Sequence, residues 1–346
     1  MNAARIHEWG GGLRFEETPR PQAGDGEVLV QVEACGVGLT VLNYMRGDLG
    51  TKPSNLPRVP GHELVGTIVE VGAGVSGDRR GERVIAYFYL FCGRCPHCLA
   101  GQESLCDNLA GFLGVDRDGG YAEFATLPSP NAIAIPRDID PIAATVIPDA
   151  VATPVHVSIR SNIRPGDRVA VIAAGGGVGI HMGQVARLYD GDVVGLEVSA
   201  KKRAFLEAEL GIPTIDSSDF GEIRLPSSWH QRADVIIDLL GSRASLSWSA
   251  GALATGGRLV LLTTFRDVEF SANPRALVLS QSAILGSRYA YRHEVGLAAA
   301  FVSSGKVRPI IGRQGPLAAL ESMHDELRNG TLLGRGALVW PATARR

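Results

Sequence analysis

The stretch Phe91–Asp107, FCGRCPHCLAGQESLCD, sets Cys92, Cys95, Cys98 and Cys106 in the spacing C-x2-C-x2-C-x7-C, and of the five cysteines Cys35 alone lies outside it. Tetrahedral zinc takes four soft ligands at about 2.3 Å; two-residue gaps let tight turns aim successive thiolates at one centre, and a short loop brings back the fourth. A closed four-cysteine set leaves no position for a substrate, so the spacing predicts a structural zinc clip over about 91–107 rather than a catalytic metal. Two disulfides, or four unrelated buried thiols, are the competing readings. The start, MNAARIHEWGG, has no apolar leader segment, which points to a reducing, cytoplasmic compartment and away from disulfides.

A second set of residues fits a dinucleotide. Gly175, Gly176, Gly177, Val178 and Gly179 stand where the apolar run Arg168–Ala174 should meet a helix. Glycines there let backbone approach a pyrophosphate at the positive end of the helix. Glu197 closes the next strand, where an acid accepts hydrogen bonds from the adenosine ribose hydroxyls and repels a 2′-phosphate, so NAD(H) is expected over NADP(H). Lys201 and Lys202 lie close enough to swing toward a phosphate, and Lys202 is counted with the cofactor-binding residues. The competing reading of the glycines is tight strand–helix packing without a ligand. Alanine, at 173 or 174, replaces the first glycine of the usual fingerprint.

These groups need elements to hold them. With 346 residues, 45% hydrophobic and a formal net charge of -2, the chain is long enough for two cores. It has no strong basic patch and no apolar run near the ~20 residues of a membrane span, so nucleic acid and membrane are not expected partners. Over 1–90, the segments LRFEETP, EVLVQVEACGVG, ELVGTIVEVG and RVIAYF, separated by Gly and Pro, read as strands of a mostly antiparallel lobe; GGYAEFATLPSPNAIAIP continues it. From about Asp140 the period turns helical. Over 165–265 apolar runs alternate with helical segments, the pattern of a doubly wound parallel sheet of Rossmann type. After Tyr289 come a helix, a second helix from Pro316 and a last strand ending at Val339–Trp340, which would complete the first lobe.

Gly61-His62-Glu63-Leu64-Val65-Gly66, followed by Gly72 and Val75, fits GHExxGxxxxxGxxV. With this motif, the cysteine lobe and the glycine turn together, the whole chain resembles the zinc-containing alcohol dehydrogenase branch of the medium-chain dehydrogenase/reductase superfamily. The resemblance implies an α/β chain with a GroES-like, β-rich catalytic domain at 1–150 and 290–346. A Rossmann NAD-binding domain at 151–289 lies between, with nicotinamide in the cleft. It also implies Thr153 beside the nicotinamide, Val178 behind its ring, the backbones of Leu262, Ser287 and Tyr289 at its carboxamide, and Arg292 at the pyrophosphate.

In this branch a catalytic zinc is held by Cys, His and a third Cys or Asp. His62 takes the His position and Asp149, in PDAVATPVH, the third, but Gly38 stands where the first Cys belongs. Cys35 is three residues too early, and in extended chain an odd offset points to the opposite face. Val41, Leu39 and Asn43 replace an acid, a basic residue and a histidine that support the usual site. His62, Glu63 and Asp149 leave a weaker metal site open, but loss of the thiolate removes the strongest ligand, so one zinc per chain is expected. Gly38→Cys should then restore a second. The leading function is NAD(H)-dependent interconversion of an alcohol and a carbonyl, with Thr40 nearest the reacting oxygen. The alternatives are a zinc-less reductase of activated C=C bonds and a non-catalytic NAD(H)-binding protein. An apolar lining from Leu39, Val41 and Leu42 implies a hydrophobic small-molecule substrate, and the resemblance implies a homodimer or homotetramer.

Overall fold

The computed structural model describes residues 1–48, 52, 55–263 and 268–341. Its strands, in chain order, begin with β1 (Asn2–Ile6), β2 (Leu13–Glu17), β3 (Glu27–Val37), β4 (Leu64–Val71) and β5 (Arg83–Ala86). They continue with β6 (Phe124–Pro128), β7 (Ala132–Ala134), β8 (Arg168–Ile172), β9 (Asp192–Glu197) and β10 (Thr214–Asp216). The last are β11 (Ala233–Asp238), β12 (Leu253–Leu261), β13 (Ala283–Gly286), β14 (Ile311–Gly315) and β15 (Arg335–Val339). The chain divides into two compact units, one of Met1–Asp149, Tyr291–Gly305 and Pro309–Arg346, the other of Ala150–Ala290 with Lys306–Arg308.

The first unit is built on a sheet of order β14-β15-β3-β4-β5-β7, with β6 also on β3 and a separate β1–β2 pair. All its pairings are antiparallel except β14–β15. β3 is the organising strand. Val28, Val30 and Val32 alternate into a core with Leu64, Ile68, Tyr121 and Leu338, each large side chain contributing roughly 1.5–3 kcal/mol by leaving water. β15 returns from the far end of the chain to pair with β3, Gly336 opposite Val37 and Val339 opposite Ala34. That register sets Arg335, the first residue of β15, beside the end of β3. β1 and β14 were not legible: β14, IGRQG, carries no apolar alternation.

The second unit holds a six-stranded sheet of order β10-β9-β8-β11-β12-β13, every pairing parallel. Runs such as VAVI in β8 and VIID in β11 are buried on both faces, as a sheet covered by helices requires. The order reverses beside β8, which makes the carboxyl end of that strand the ligand-binding place in sheets of this kind. One helical run, Pro141–Arg160, is long and apolar enough to cross a membrane, but 78% of its apolar window is buried inside the fold, the condition of a core helix. It widens to a π-helical turn over Ile147–Val151, which carries Asp149.

Candidate functional site

At the carboxyl end of β8 the chain turns through Ala173–Val178 into the helix Gly179–Leu188. Ala173 has φ +60, so the fingerprint's missing first glycine is at 173. The Gly175 N–H donates to Glu197 Oε2 at 2.8 Å, and the Ser199 N–H to Glu197 Oε1 at 3.0 Å. A Cβ on Gly175 would meet Lys202 Cβ at 2.7 Å and Glu197 Oε2 at 2.9 Å; one on Gly179 would strike the Ala173 carbonyl. The turn is therefore closed down onto the acid, and a carboxylate with one N–H on each oxygen keeps lone pairs for further donors. Lys202 is buried beside it, and desolvation pulls its pKa below the ordinary lysine value against the opposing field of Glu197.

Thr153 is buried in the first turn of the helix Ala152–Arg160, and Val178 caps the glycine-turn helix. Leu262 follows β12 and Ser287 follows β13, the Ser287 N–H donating to the Leu261 carbonyl at 2.9 Å. Tyr289 is buried with φ +54. Arg292 belongs to the first unit. The Glu103 carboxylate accepts its backbone N–H at 3.2 Å and faces its guanidinium at 4.0 Å, while the Phe91 ring lies 5.4 Å beneath it. A nearly buried acid and an aromatic face thus lie against Arg292, whose side chain remains 38% exposed.

The four lobe cysteines carry free thiols, with one sulfur from each within 4.8 Å of the others. Cys92 and Cys98 are 3.9 Å apart and Cys95 and Cys106 4.0 Å, close to the roughly 3.8 Å edge of a tetrahedron with 2.3 Å zinc–sulfur bonds. The Arg94 N–H leads in drawing the Cys92 thiol down to about 6. This set fits zinc. Cys35 is fully buried against Gly61 and Gly120, with its pKa pushed far up by burial, and belongs to the core.

His62, Glu63 and Asp149 do converge, His62 Nε2 lying 3.8 Å from Asp149 Oδ2 and 4.0 Å from Glu63 Oε1. The Phe88 ring packs on the imidazole, centroids 4.6 Å apart. A fourth member was not anticipated. Arg335 Nη2 contacts Asp149 Oδ2 and sits 2.5 Å from Glu63 Oε1, a charge contact rather than an aligned hydrogen bond for Glu63. Burial pushes Glu63 up to about 7, against the lowering effect of Arg335. A Cβ on Gly36 would strike the Glu63 carboxylate and one on Gly38 the Arg335 guanidinium. Alternate glycines share one face of an extended strand, and here they clear that face for the acid and the arginine.

The residues present do not fit a catalytic zinc while Arg335 holds the same carboxylate oxygens. The room that a side chain at position 38 would need is taken by the Arg335 guanidinium. Thr40 lies in the first turn of the helix Leu39–Arg46, half-buried. Val41 and Leu42 are core residues and Leu39 is 53% exposed.

Residues 24–137 match the model of the alcohol dehydrogenase GroES-like domain, and 177–304 that of the zinc-binding dehydrogenase family. An alcohol dehydrogenase of Geobacillus stearothermophilus is 32% identical over 97% of this chain and 98% of its own length. An acryloyl-coenzyme A reductase of Metallosphaera sedula is 28% identical over 95% and 96%. A cobalt- and zinc-bound alcohol dehydrogenase structure from Pyrobaculum aerophilum superposes with a TM-score of 0.88 at 30% identity, covering 98% of this chain and 99% of that one. The chain thus belongs to the zinc-containing alcohol dehydrogenase branch of the medium-chain dehydrogenase/reductase superfamily.

Proposed function

We propose that this oxidoreductase uses NAD(H) to interconvert an alcohol and a carbonyl compound. The observation that carries the reading is the glycine turn closed on Glu197 at the carboxyl end of β8. Gly175–Gly179 would hold the pyrophosphate, Glu197 and Lys202 the adenosine ribose, and Thr153, Val178, Leu262, Ser287 and Tyr289 the nicotinamide side. When bound, the cofactor supplies or accepts a hydride. Thr40 and His62 stand for the polar groups at the reacting oxygen, and Cys92, Cys95, Cys98 and Cys106 for the ligands of one structural zinc.

A second reading is favoured by Gly38, which stands where the thiolate ligand of a catalytic zinc belongs. Hydride delivery to the conjugate carbon of an activated C=C bond, with a proton from solvent at the neighbouring carbon, needs no Lewis-acid metal. The likeness to the acryloyl-coenzyme A reductase supports trying thioester-activated alkenes beside aldehydes and ketones.

Titration by nicotinamide fluorescence should show NADH bound at least tenfold tighter than NADPH, about 1.4 kcal/mol, because a 2′-phosphate loses ribose contacts and meets a carboxylate. Equal affinities would remove Glu197 from this role. Steady-state assays of NADH oxidation then separate the readings: turnover with simple carbonyls supports the first, turnover with conjugated thioesters alone the second, and none across the panel a binding protein. Free thiols throughout support a reducing, cytoplasmic setting. Among the described residues β13 pairs on one side only, and Val278 and Leu279 on the preceding helix are 74% and 69% exposed. This edge supports a homodimer or homotetramer, which light scattering would measure.

A further inference from the structure

We infer that the Arg335 guanidinium is the resident cation of the His62–Glu63–Asp149 cluster, that Gly38 is the residue that lets it lie there, and that no metal ion binds at this place. The inference goes beyond the proposed reaction and does not depend on it.

Three observations converge. The oxygens that would serve a metal, Asp149 Oδ2 and Glu63 Oε1, are those that Arg335 Nη2 contacts. A metal ion and the guanidinium would compete for the same lone pairs, and together would set like charges a few ångströms apart in a nearly buried place, where the repulsion is weakly screened. Second, a Cβ at position 38 would lie 2.9 Å from Arg335 Cζ and closer still to Nη1. Gly38 has φ -140 and ψ 171, extended backbone that any residue adopts, so its lack of a side chain answers to the guanidinium and not to the turn. Third, the arginine is anchored. Its N–H donates to the Ile310 carbonyl at 3.0 Å and its neighbour Gly336 pairs with Val37, while its side chain is 7% exposed. A fully buried carboxylate, Glu63, beside the partly buried Asp149 needs a compensating charge, and the chain itself provides one.

The test counts metal. Wild-type protein dialysed against excess Zn2+ and then buffer should hold one zinc per chain by elemental analysis; two would overturn the inference. The second zinc should bind Gly38→Cys/Arg335→Ala at least tenfold more tightly than Gly38→Cys, because the thiol no longer competes with the guanidinium, and equal affinities would overturn it. Should the double variant fail to fold, Gly38→Ala decides. Its methyl collides with Arg335 and should lower the melting temperature by several degrees. Gly296→Ala, at a glycine with open space around it, should not. A Gly38→Ala protein as stable as wild type would show that the guanidinium gives way without cost and would overturn the role assigned to Gly38. None of these readings involves hydride transfer, so the proposed reaction and the metal-free centre stand or fall separately.

Discussion

Ala173 shows how a single residue records a compromise. At φ +60 an L-residue sits where glycine costs nothing, and the left-handed conformation is unfavourable by roughly 1–2 kcal/mol for a residue with a Cβ. Ala173→Gly should therefore raise stability by about 1 kcal/mol, after some loss to the greater freedom of the unfolded chain; a lower denaturation midpoint would mean the turn differs in solution. Glu63 carries a pH prediction. Its folded pKa of about 7, raised above the ordinary 4.5 first by burial, means that the folded state holds its proton more tightly. The contribution is fully present below about pH 4.5 and is lost as pH rises through 7. Glu63→Gln should thus gain on wild type between pH 5 and 7, by up to about 3 kcal/mol at 1.36 kcal/mol per pKa unit. Parallel melting curves would contradict this.

Among the elements, the cysteine lobe depends most on its metal. Its core is Cys95, Cys98 and Cys106 with Phe91, Cys92 and Leu109 packed on them, too little apolar surface to hold a loop by itself, so binding free energy must do so. Cys95→Ser should take zinc from one per chain to none and make the amides of 91–107 exchange rapidly with deuterium; unchanged protection would deny the structural role. This lobe and the strands β3, β4, β8 and β9 were legible in the sequence because their information is local, a ligand spacing or an apolar run within ten or so residues. The altered centre was only half legible. His62 and Asp149 came from a motif, but Arg335, in GRGALVW, touches an aspartate 186 residues earlier, and such a pairing leaves no local mark. The one local trace was the alternation of Gly36 and Gly38, which clears a strand face. Gly38 marks a lost thiolate ligand and is also room for a guanidinium. The contact between Arg292 and Glu103 left no mark for the same reason, since the two lie 189 residues apart.

At the scale of the molecule, the two units differ in how they use the chain, and that difference makes a prediction. All six strands of the parallel sheet fall within 168–286, and its pairings need nothing from outside the continuous stretch Ala150–Ala290. The first unit is discontinuous. β15 covers Ala34–Val37 of β3 and delivers Arg335 to two buried carboxylates, so residues 1–149 alone keep an open sheet edge and two uncompensated charges. Breaking a buried ion pair in this way costs about 3–5 kcal/mol, a large part of the stability of any domain, and an exposed edge invites aggregation. A fragment 150–290 should accordingly be soluble, unfold cooperatively and retain NADH binding, whereas a fragment 1–149 should aggregate or lack a cooperative transition. Circular dichroism melts of the two fragments check this. A 1–149 fragment that melts cooperatively would show that β3 and the cluster around His62 are stable without the returning strand, and that the arginine is dispensable to the fold.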